Sequence, residues 1–234
     1  TGQQRGFEQA LSHQRLYAQR RLVPRLIPVE DVRIAAARFP TLRAHQAACV
    51  EVFDAQPDAG RFHFVLPPGA GKTLLGAVVA QRLHRKVLVL VPNTAIQDQW
   101  LRLWTSAGGV TVGDDRSLSA DVTVLTYQAL ATFDDEKDSE TSPIARLHPN
   151  AREIIDALHG DEPFTLVLDE AHHLAATWGQ LLSEVLDEAH SGREDGPVVV
   201  ALTATPRDSL SPAEAELVDG LFGPVLYAVS TPAL

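Results

Sequence analysis

The sequence predicts an α/β fold: a mostly parallel sheet covered by helices on both faces, preceded by a helical N-terminal extension. Three observations predict it. Short apolar, β-branched segments recur at Phe62–Leu66, Val87–Val91, Val122–Leu125, Phe164–Leu168, Val198–Leu202 and Val225–Val229. Helix-length patterns separate most of them, the alternation expected of parallel strands joined by crossovers. Two polar motifs, Leu66-Pro-Pro-Gly-Ala-Gly-Lys-Thr73 and Asp169-Glu-Ala-His172, follow two of these segments directly, where the carboxyl edge of such a sheet binds ligands.

In chain order, residues 3–22 read as a helix with Phe7, Leu11 and Tyr17 on one side, ended by Pro24 and Pro28. A short helix is expected over Val29–Arg38. Pro40-Thr41 opens another, running to Gln56 with Thr41 as N-cap. The apolar run Arg61–Leu66 is the first strand, and Lys72–Leu83 the helix that follows the first polar motif. Between Phe133 and Pro149 the pattern fails, and Asp134–Glu140 reads as an exposed acidic loop to which no chemistry is assigned. No internal repeat and no zinc-type Cys/His spacing is present; His172-His173 lacks the spacing and third ligand of a zinc site, and His173 is a bystander. The chain divides into an extension, residues 1–38, and a sheet domain, residues 39–234.

At 234 residues and 45% hydrophobic content, the chain is large enough for one sizeable core. No apolar run approaches the ~20 residues needed to span a bilayer, and the Gln- and Arg-rich N-terminus has no signal-peptide core. Cytoplasmic residence without a membrane partner is therefore expected. The single cysteine, Cys49, excludes an internal disulfide, and its setting on an expected helix assigns it to packing. Net charge is −10, but residues 1–43 carry eight arginines against three acidic residues. A basic arm for nucleic acid and an ordinary solvated helix fit that distribution equally well. The absence of methionine, position 1 included, predicts that the chain starts internally or was processed, and its C-terminal end also looks cut.

The chemistry of the two motifs follows from residue type. Gly69 and Gly71 let the loop through Pro68, Gly69, Ala70 and Gly71 curl so that the N–H groups from Gly69 onward face phosphate oxygens, with the next helix N-terminus adding its partial positive charge. Lys72 supplies a point charge for β and γ phosphates. Thr73 offers a hydroxyl to Mg²⁺, a hard cation that prefers oxygen ligands, and Asp169 holds the hydrated metal from the opposite side. Glu170 is suited to orient or deprotonate the attacking water. Leu66 departs from the general phosphate-loop pattern, which has glycine there.

Written in order, the short motifs resemble the first, RecA-like motor domain of superfamily 2 helicases and translocases, over most of residues 39–230. Leu42-Arg-Ala-His-Gln46 looks like the adenine-recognising Q-type motif and Leu66–Thr73 like motif I, where that family often lacks the glycine. Leu90–Thr94 with Gln99-Trp100 is similar to motif Ia, Thr126-Tyr-Gln128 to the segment around Ib, Asp169–His172 to motif II and Thr203-Ala-Thr205 to motif III. The resemblance implies ATP and Mg²⁺ as cofactors. It implies that the Gln46 amide reads adenine N6 and N7 with help from Arg43, and that His172, Thr203 and Thr205 couple the nucleotide to the nucleic-acid surface. Motifs Ia and Ib would lie on the other edge of the sheet, with Asn93, Thr94, Thr126 and Tyr127 on nucleic acid, although packing or capping accounts equally well for Asn93, Gln99, Trp100 and Tyr127. Motif style is closest to the duplex-DNA translocases of the restriction-subunit and excision-repair kind, which makes double-stranded DNA the expected partner.

The segment after Thr205 is too short for the second motor domain, which in this family supplies arginines to the γ-phosphate. A trans-acting arginine is worth several orders of magnitude in rate. The expected activity is therefore that of a longer protein, with this chain as a nucleotide-binding half-site. Two readings remain beside it: a nucleotide-dependent switch or assembly ATPase that never meets nucleic acid, and an interaction module with a degenerate site.

Overall fold

The computed structural model describes residues 33–56, 60–129, 149–160, 162–170, 179, 182–183, 185–186, 196–205 and 211–229. Its centre is a seven-stranded sheet whose strands all pair in parallel. The strands are β1 (Arg61–Val65), β2 (Lys86–Val91), β3 (Val112–Gly113), β4 (Val122–Thr126), β5 (Phe164–Asp169), β6 (Val198–Thr203) and β7 (Val225–Ala228), in the spatial order β3-β4-β2-β5-β6-β1-β7. The six strands expected from sequence are all present within a residue or so of their expected ends. The two-residue β3 is additional, too short to leave a pattern of its own.

Side-chain alternation divides the core into two layers. Val87, Val89 and Val91 face one side of β2 with Phe62, Phe64, Val200 and Leu202, under α1 (Ala44–Asp54), α2 (Lys72–Arg82) and α3 (Thr94–Ala107). Leu88 and Leu90 face the other side with Leu166, Leu168 and Val199, where Ile154 and Leu158 of α4 (Pro149–His159) and Leu221 and Phe222 of α5 (Pro212–Phe222) pack. Helices on both faces explain why the central strands are apolar throughout.

Three sequence expectations change at the N-terminal side. The helix expected from Thr41 begins at Ala44, with Arg43 as its N-cap, and ends at Asp54. The start shifts because the Gln46 side chain accepts the Arg43 N–H at 2.9 Å, which moves the N-cap from Thr41 to Arg43. The helix expected over Val29–Arg38 is described only as a short 3₁₀ turn, Arg33–Ala36. That turn buries Ile34 and Ala37 in the α1–α3 layer, its carbonyls held by Gln81, and Phe39 meets Trp104 edge-to-face. The last residues of the N-terminal extension are thus continuous with the sheet domain's core. The helix expected over residues 3–22 and the acidic loop 134–140 lie outside the described residues. No helix among the described residues is long and apolar enough to cross a membrane.

Two buried titratable groups yield checks of this packing. Cys49 is fully buried, and burial pushes its thiol up to about 11 against a small opposing effect of its own backbone. Ellman's reagent at about pH 8 should therefore leave the folded chain unlabelled and react only on denaturation. His63, against Phe222, is lowered below its ordinary 6.5 by burial, which the Gly223 backbone and the Asp219 charge oppose without reversing. The folded chain then binds fewer protons than the unfolded one just below pH 6.5, so stability is lost as pH falls from there through the folded-state value. A His63→Gln variant should show a smaller drop in melting temperature between about pH 7.5 and 5 than the parent chain; equal drops would exclude His63 as the source.

Candidate nucleotide site

Because every strand is parallel, each following loop emerges at the same sheet edge. Three neighbouring strands, β5, β6 and β1, end there in Asp169, Thr203 and the loop from Leu66 to Thr73. Register holds them level: Val65 pairs with Thr203, Leu202 with Asp169, and the Leu66 N–H donates to the Thr203 carbonyl at 2.9 Å. Leu66 is buried and still paired to β6, so its backbone extends the strand and has no need of glycine's freedom. The turn proper begins at Pro67, whose carbonyl accepts the Ala70 N–H.

The loop is strapped to α1 by three side chains. Arg43 Nη1 donates to the Gly69 carbonyl at 3.2 Å, His45 Nε2 to the Ala70 carbonyl at 2.8 Å and Gln46 Nε2 to the Gly71 carbonyl at 2.9 Å. Since its partner is a carbonyl, His45 Nε2 carries a proton. Peptide planarity then turns the N–H groups of Gly71 and Lys72 away from α1, opposite the held carbonyls. Gly71 sits at φ 80°, and a Cβ there would come within 2.5 Å of Gln46 Nε2. Only glycine permits both the left-handed turn and that contact. At Gly69, also at φ 80°, a Cβ would meet nothing within 4 Å, so the loop is open on its outer side.

Lys72 is the first residue of α2 and nearly buried; its Nζ lies 3.1 Å from Glu170 Oε1. The sequence-distant motifs thus meet as an ion pair. Glu170 adopts φ 52°, the left-handed region that a non-glycine residue enters at a cost and that clusters at functional sites. Asp169, buried beside it, accepts Trp100 Nε1–H on Oδ2 at 2.7 Å and the Glu170 N–H on Oδ1 at 3.0 Å. Burial raises its carboxyl above the ordinary value; the Trp100 hydrogen bond opposes this, the Glu170 charge adds to it and Lys72 opposes it again. Thr73, half-buried, is in the first turn of α2. A threonine hydroxyl and a carboxylate are hard oxygen donors, and the loop that precedes Thr73 has open space at Gly69, so the donor set fits Mg²⁺.

The geometry of three side chains bears on their expected roles, and for Tyr127 and Asn93 it shows the packing and capping that the sequence equally allowed. Gln46 was expected to read adenine, but it is 1% exposed and both ends of its amide bind backbone, Oε1 the Arg43 N–H and Nε2 the loop carbonyls. It lies on the same helical stripe as Cys49, Val50 and Phe53, which turns it inward. Tyr127, expected on nucleic acid, is buried, and its hydroxyl donates to the Asp169 carbonyl at 3.0 Å. Burial first, then the Asp169 and Glu170 charges, keep that hydroxyl well above its usual ionisation range. Asn93 caps α3, its side chain accepting the Ile96 N–H at 3.0 Å. The segments around Asn93, Thr94 and Thr126 also lie on the same carboxyl edge as the loop, beyond Asp169, rather than on the other edge, because parallel β2 and β4 point the same way. Thr94 is exposed at the start of α3 and Thr126 closes β4, half-buried. Thr203 is buried, its Oγ1 accepting the Thr205 N–H at 3.1 Å. His172 lies outside the described residues.

Sequence reasoning left out His45 and the Trp100–Asp169 bond. The signal that could have found the bond is the spacing of Trp100 and Trp104, four residues apart on one helical face, since buried indole N–H groups usually find a partner, as Trp100 does.

Residues 39–208 match the family described as the Type III restriction enzyme, res subunit. The chain belongs to that family. It is 32% identical over 154 residues to the TFIIH basal transcription factor complex helicase/translocase XPB subunit of Trypanosoma brucei brucei (strain 927/4 GUTat10.1), covering 62% of this chain and 16% of the relative. To the DNA 3'-5' translocase XPB2 of Sulfurisphaera tokodaii it is 27% identical over 219 residues, 89% of this chain and 42% of the relative. Among solved structures, it resembles the Sulfolobus solfataricus SWI2/SNF2 ATPase core in complex with dsDNA, at TM-score 0.52 and 14% identity over 85% of this chain and 38% of that one. It also resembles the UvsW helicase from bacteriophage T4, at TM-score 0.53 and 17% identity over 82% of this chain and 64% of that one. The fold is RecA-like, and this member of the res-subunit family has the architecture and motif order of a superfamily 2 motor domain. It spans less than half the length of the curated relatives described.

The strap makes a discriminating prediction. Gln46→Ala should weaken ATP and GTP binding by the same factor, roughly three- to tenfold for one or two lost hydrogen bonds, in competition titrations against a fluorescent nucleotide. A loss confined to ATP would restore the adenine-reading role. Gly71→Ala should weaken both more strongly, since strain at positive φ adds to the clash with Gln46.

Proposed function

We propose that this chain is the ATP·Mg²⁺-binding first motor domain of a nucleic-acid-dependent ATPase, a helicase or double-stranded DNA translocase acting in the cytoplasm. The observation that carries the reading is the contact of Lys72 with Glu170 across the crevice between the loop after β1 and the end of β5. It brings the phosphate-binding charge of one motif to the general base of the other. Mg²⁺ held by Thr73 and Asp169 would offset charge on the β and γ phosphates. Loop N–H groups and the α2 N-terminus orient the phosphates. Lys72 exchanges the Glu170 carboxylate for phosphate oxygen, and Glu170 takes a proton from the attacking water. Thr203, at the end of the strand between these groups, and Thr205, bonded to it, are suited to relay their state along the edge.

Thr94 and Thr126, with N–H groups at the start of α3, are proposed to contact backbone phosphates of DNA, contacts that position a strand without reading its sequence. A relative named as a DNA translocase supports DNA as the partner, and that the DNA is a duplex is part of the proposal. A second RecA-like domain of the same longer protein is proposed to supply the arginines that complete the γ-phosphate site, so that ATP-driven closure between domains moves the strand. Steep salt dependence of DNA binding by the longer protein would separate this reading from a switch or assembly ATPase.

The 234-residue chain should bind nucleotide with little or no turnover, measured by nucleotide titration and a steady-state ATPase assay with and without DNA; robust DNA-stimulated turnover would refute the half-site. In the longer protein, Lys72→Ala should weaken nucleotide binding by roughly ten- to a hundredfold, the size of a lost charge-assisted hydrogen bond. Glu170→Gln should keep binding and stop hydrolysis. Normal turnover in both variants would show that the chemistry lies elsewhere.

A further inference from the structure

Trp100 touches both halves of the nucleotide site. Its fully buried indole donates from Nε1 to Asp169 Oδ2 at 2.7 Å. The same ring rests on Gly76 of α2, where a Cβ would come within 2.9 Å of the Trp100 ring edge and 2.5 Å of a Leu202 methyl. Gly76 lies about one helical turn beyond Thr73. A single rigid aromatic therefore spans from the helix that carries Lys72 and Thr73 to the strand end that carries Asp169. Tyr127, in the turn after β4, adds a second buried donor, its hydroxyl on the Asp169 carbonyl at 3.0 Å.

Asp169 is thus fixed at three oxygens. Its carboxylate has about four acceptor positions; Trp100 takes one on Oδ2 and the Glu170 N–H one on Oδ1, which leaves a position on each oxygen. The indole N–H donates only, so the Trp100 bond cannot reverse and fixes which way the carboxylate plane faces. Phenylalanine at position 100 would fill nearly the same volume and donate nothing.

We propose that Trp100 and Tyr127 are positioning residues of the metal site: they set the orientation and depth of Asp169, and Trp100 also sets its distance from the helix bearing Thr73. The proposal rests on the nucleotide-site reading above. Neither residue touches nucleotide or metal. Their effect is exerted through Asp169, whose remaining acceptor positions must meet a metal shared with Thr73.

The test uses the 234-residue chain and ADP, with affinity measured by calorimetry across a Mg²⁺ series and in EDTA. Trp100→Phe should raise the Mg²⁺ concentration needed for half of the metal-dependent gain in affinity by on the order of tenfold, as for other outer partners of metal ligands. Affinity in EDTA should not change. Tyr127→Phe should shift the Mg²⁺ requirement in the same direction by less. An independent readout is the Trp100 indole N–H resonance, assigned in the parent chain by triple-resonance spectroscopy, which should move when Mg²⁺ is added to the ADP-bound parent chain. A folded Trp100→Phe variant with the parent's Mg²⁺ dependence would overturn the proposal. So would a Trp100 resonance that Mg²⁺ leaves in place, a result obtained on the parent chain even if the variant does not fold. If the parent chain itself gains no ADP affinity from Mg²⁺, the nucleotide-site reading fails instead.

Discussion

Parallel pairing of β5, β6 and β1 is the constraint on which the rest of the structure depends. Each strand needs a crossover to reach its neighbour, so residues far apart in sequence finish at one edge. Register then decides which side chains face which layer. A one-residue slip of β5 against β6 would exchange Leu168 and Asp169 between faces, sending a carboxylate into an apolar layer and taking it from Trp100. Leu166, Val167 and Leu168 are each fully buried and would stay in apolar layers after a slip, so what resists it is the fit of their different shapes to the packed layers and the loss of the Asp169–Trp100 bond. The position of the charged site is therefore specified by aliphatic packing beneath it.

Charge burial at that edge works against stability. Asp169 is raised by burial in spite of Trp100 and Lys72, so the charged form is held in the fold at a cost, and that contribution to stability is lost as pH rises from the unfolded carboxyl value through the raised one. Lys72 and Glu170 lie close to the protein interior, where an ion pair barely offsets its own desolvation. Glu170 also occupies left-handed backbone. Three unfavourable features on adjacent residues are hard to explain as products of folding alone. They match a site where stability has been exchanged for chemistry.

Much of this was legible in the sequence. The six longer strands carried their own apolar signal, and the phosphate loop and acidic motif stood at the ends of two of them, so fold and site location could be read together. Side-chain partners could not. Gln46 belongs to the right motif, but its burial depends on the Cys49–Val50–Phe53 stripe packing against the sheet, and its amide reaches the loop only because Gly71 lacks a Cβ. Tyr127 follows the end of β4, and its hydroxyl reaches Asp169 two strands away across β2. Leu66 looked like a defect in a glycine pattern, whereas its pairing to β6 lets strand and loop meet without one. Such features arise from contacts between segments, which no local period records.

The Lys72–Glu170 pair links binding to catalysis in the proposed reaction by charge alone. One ammonium cannot stay in close contact with the Glu170 carboxylate and also give its full field to a triphosphate. In that proposal, a phosphate that draws Lys72 away takes this one ion-pair partner from Glu170 as the substrate is seated. Water in an unfilled site would face a carboxylate already engaged by an ammonium, a poor acceptor for its proton. Lys72 thereby serves two opposite purposes: it restrains the base when alone with it and stabilises the substrate when drawn away. The distance that permits this exchange, 3.1 Å, is set by the register of β1, β6 and β5, so the switch depends on the same parallel pairing that builds the sheet.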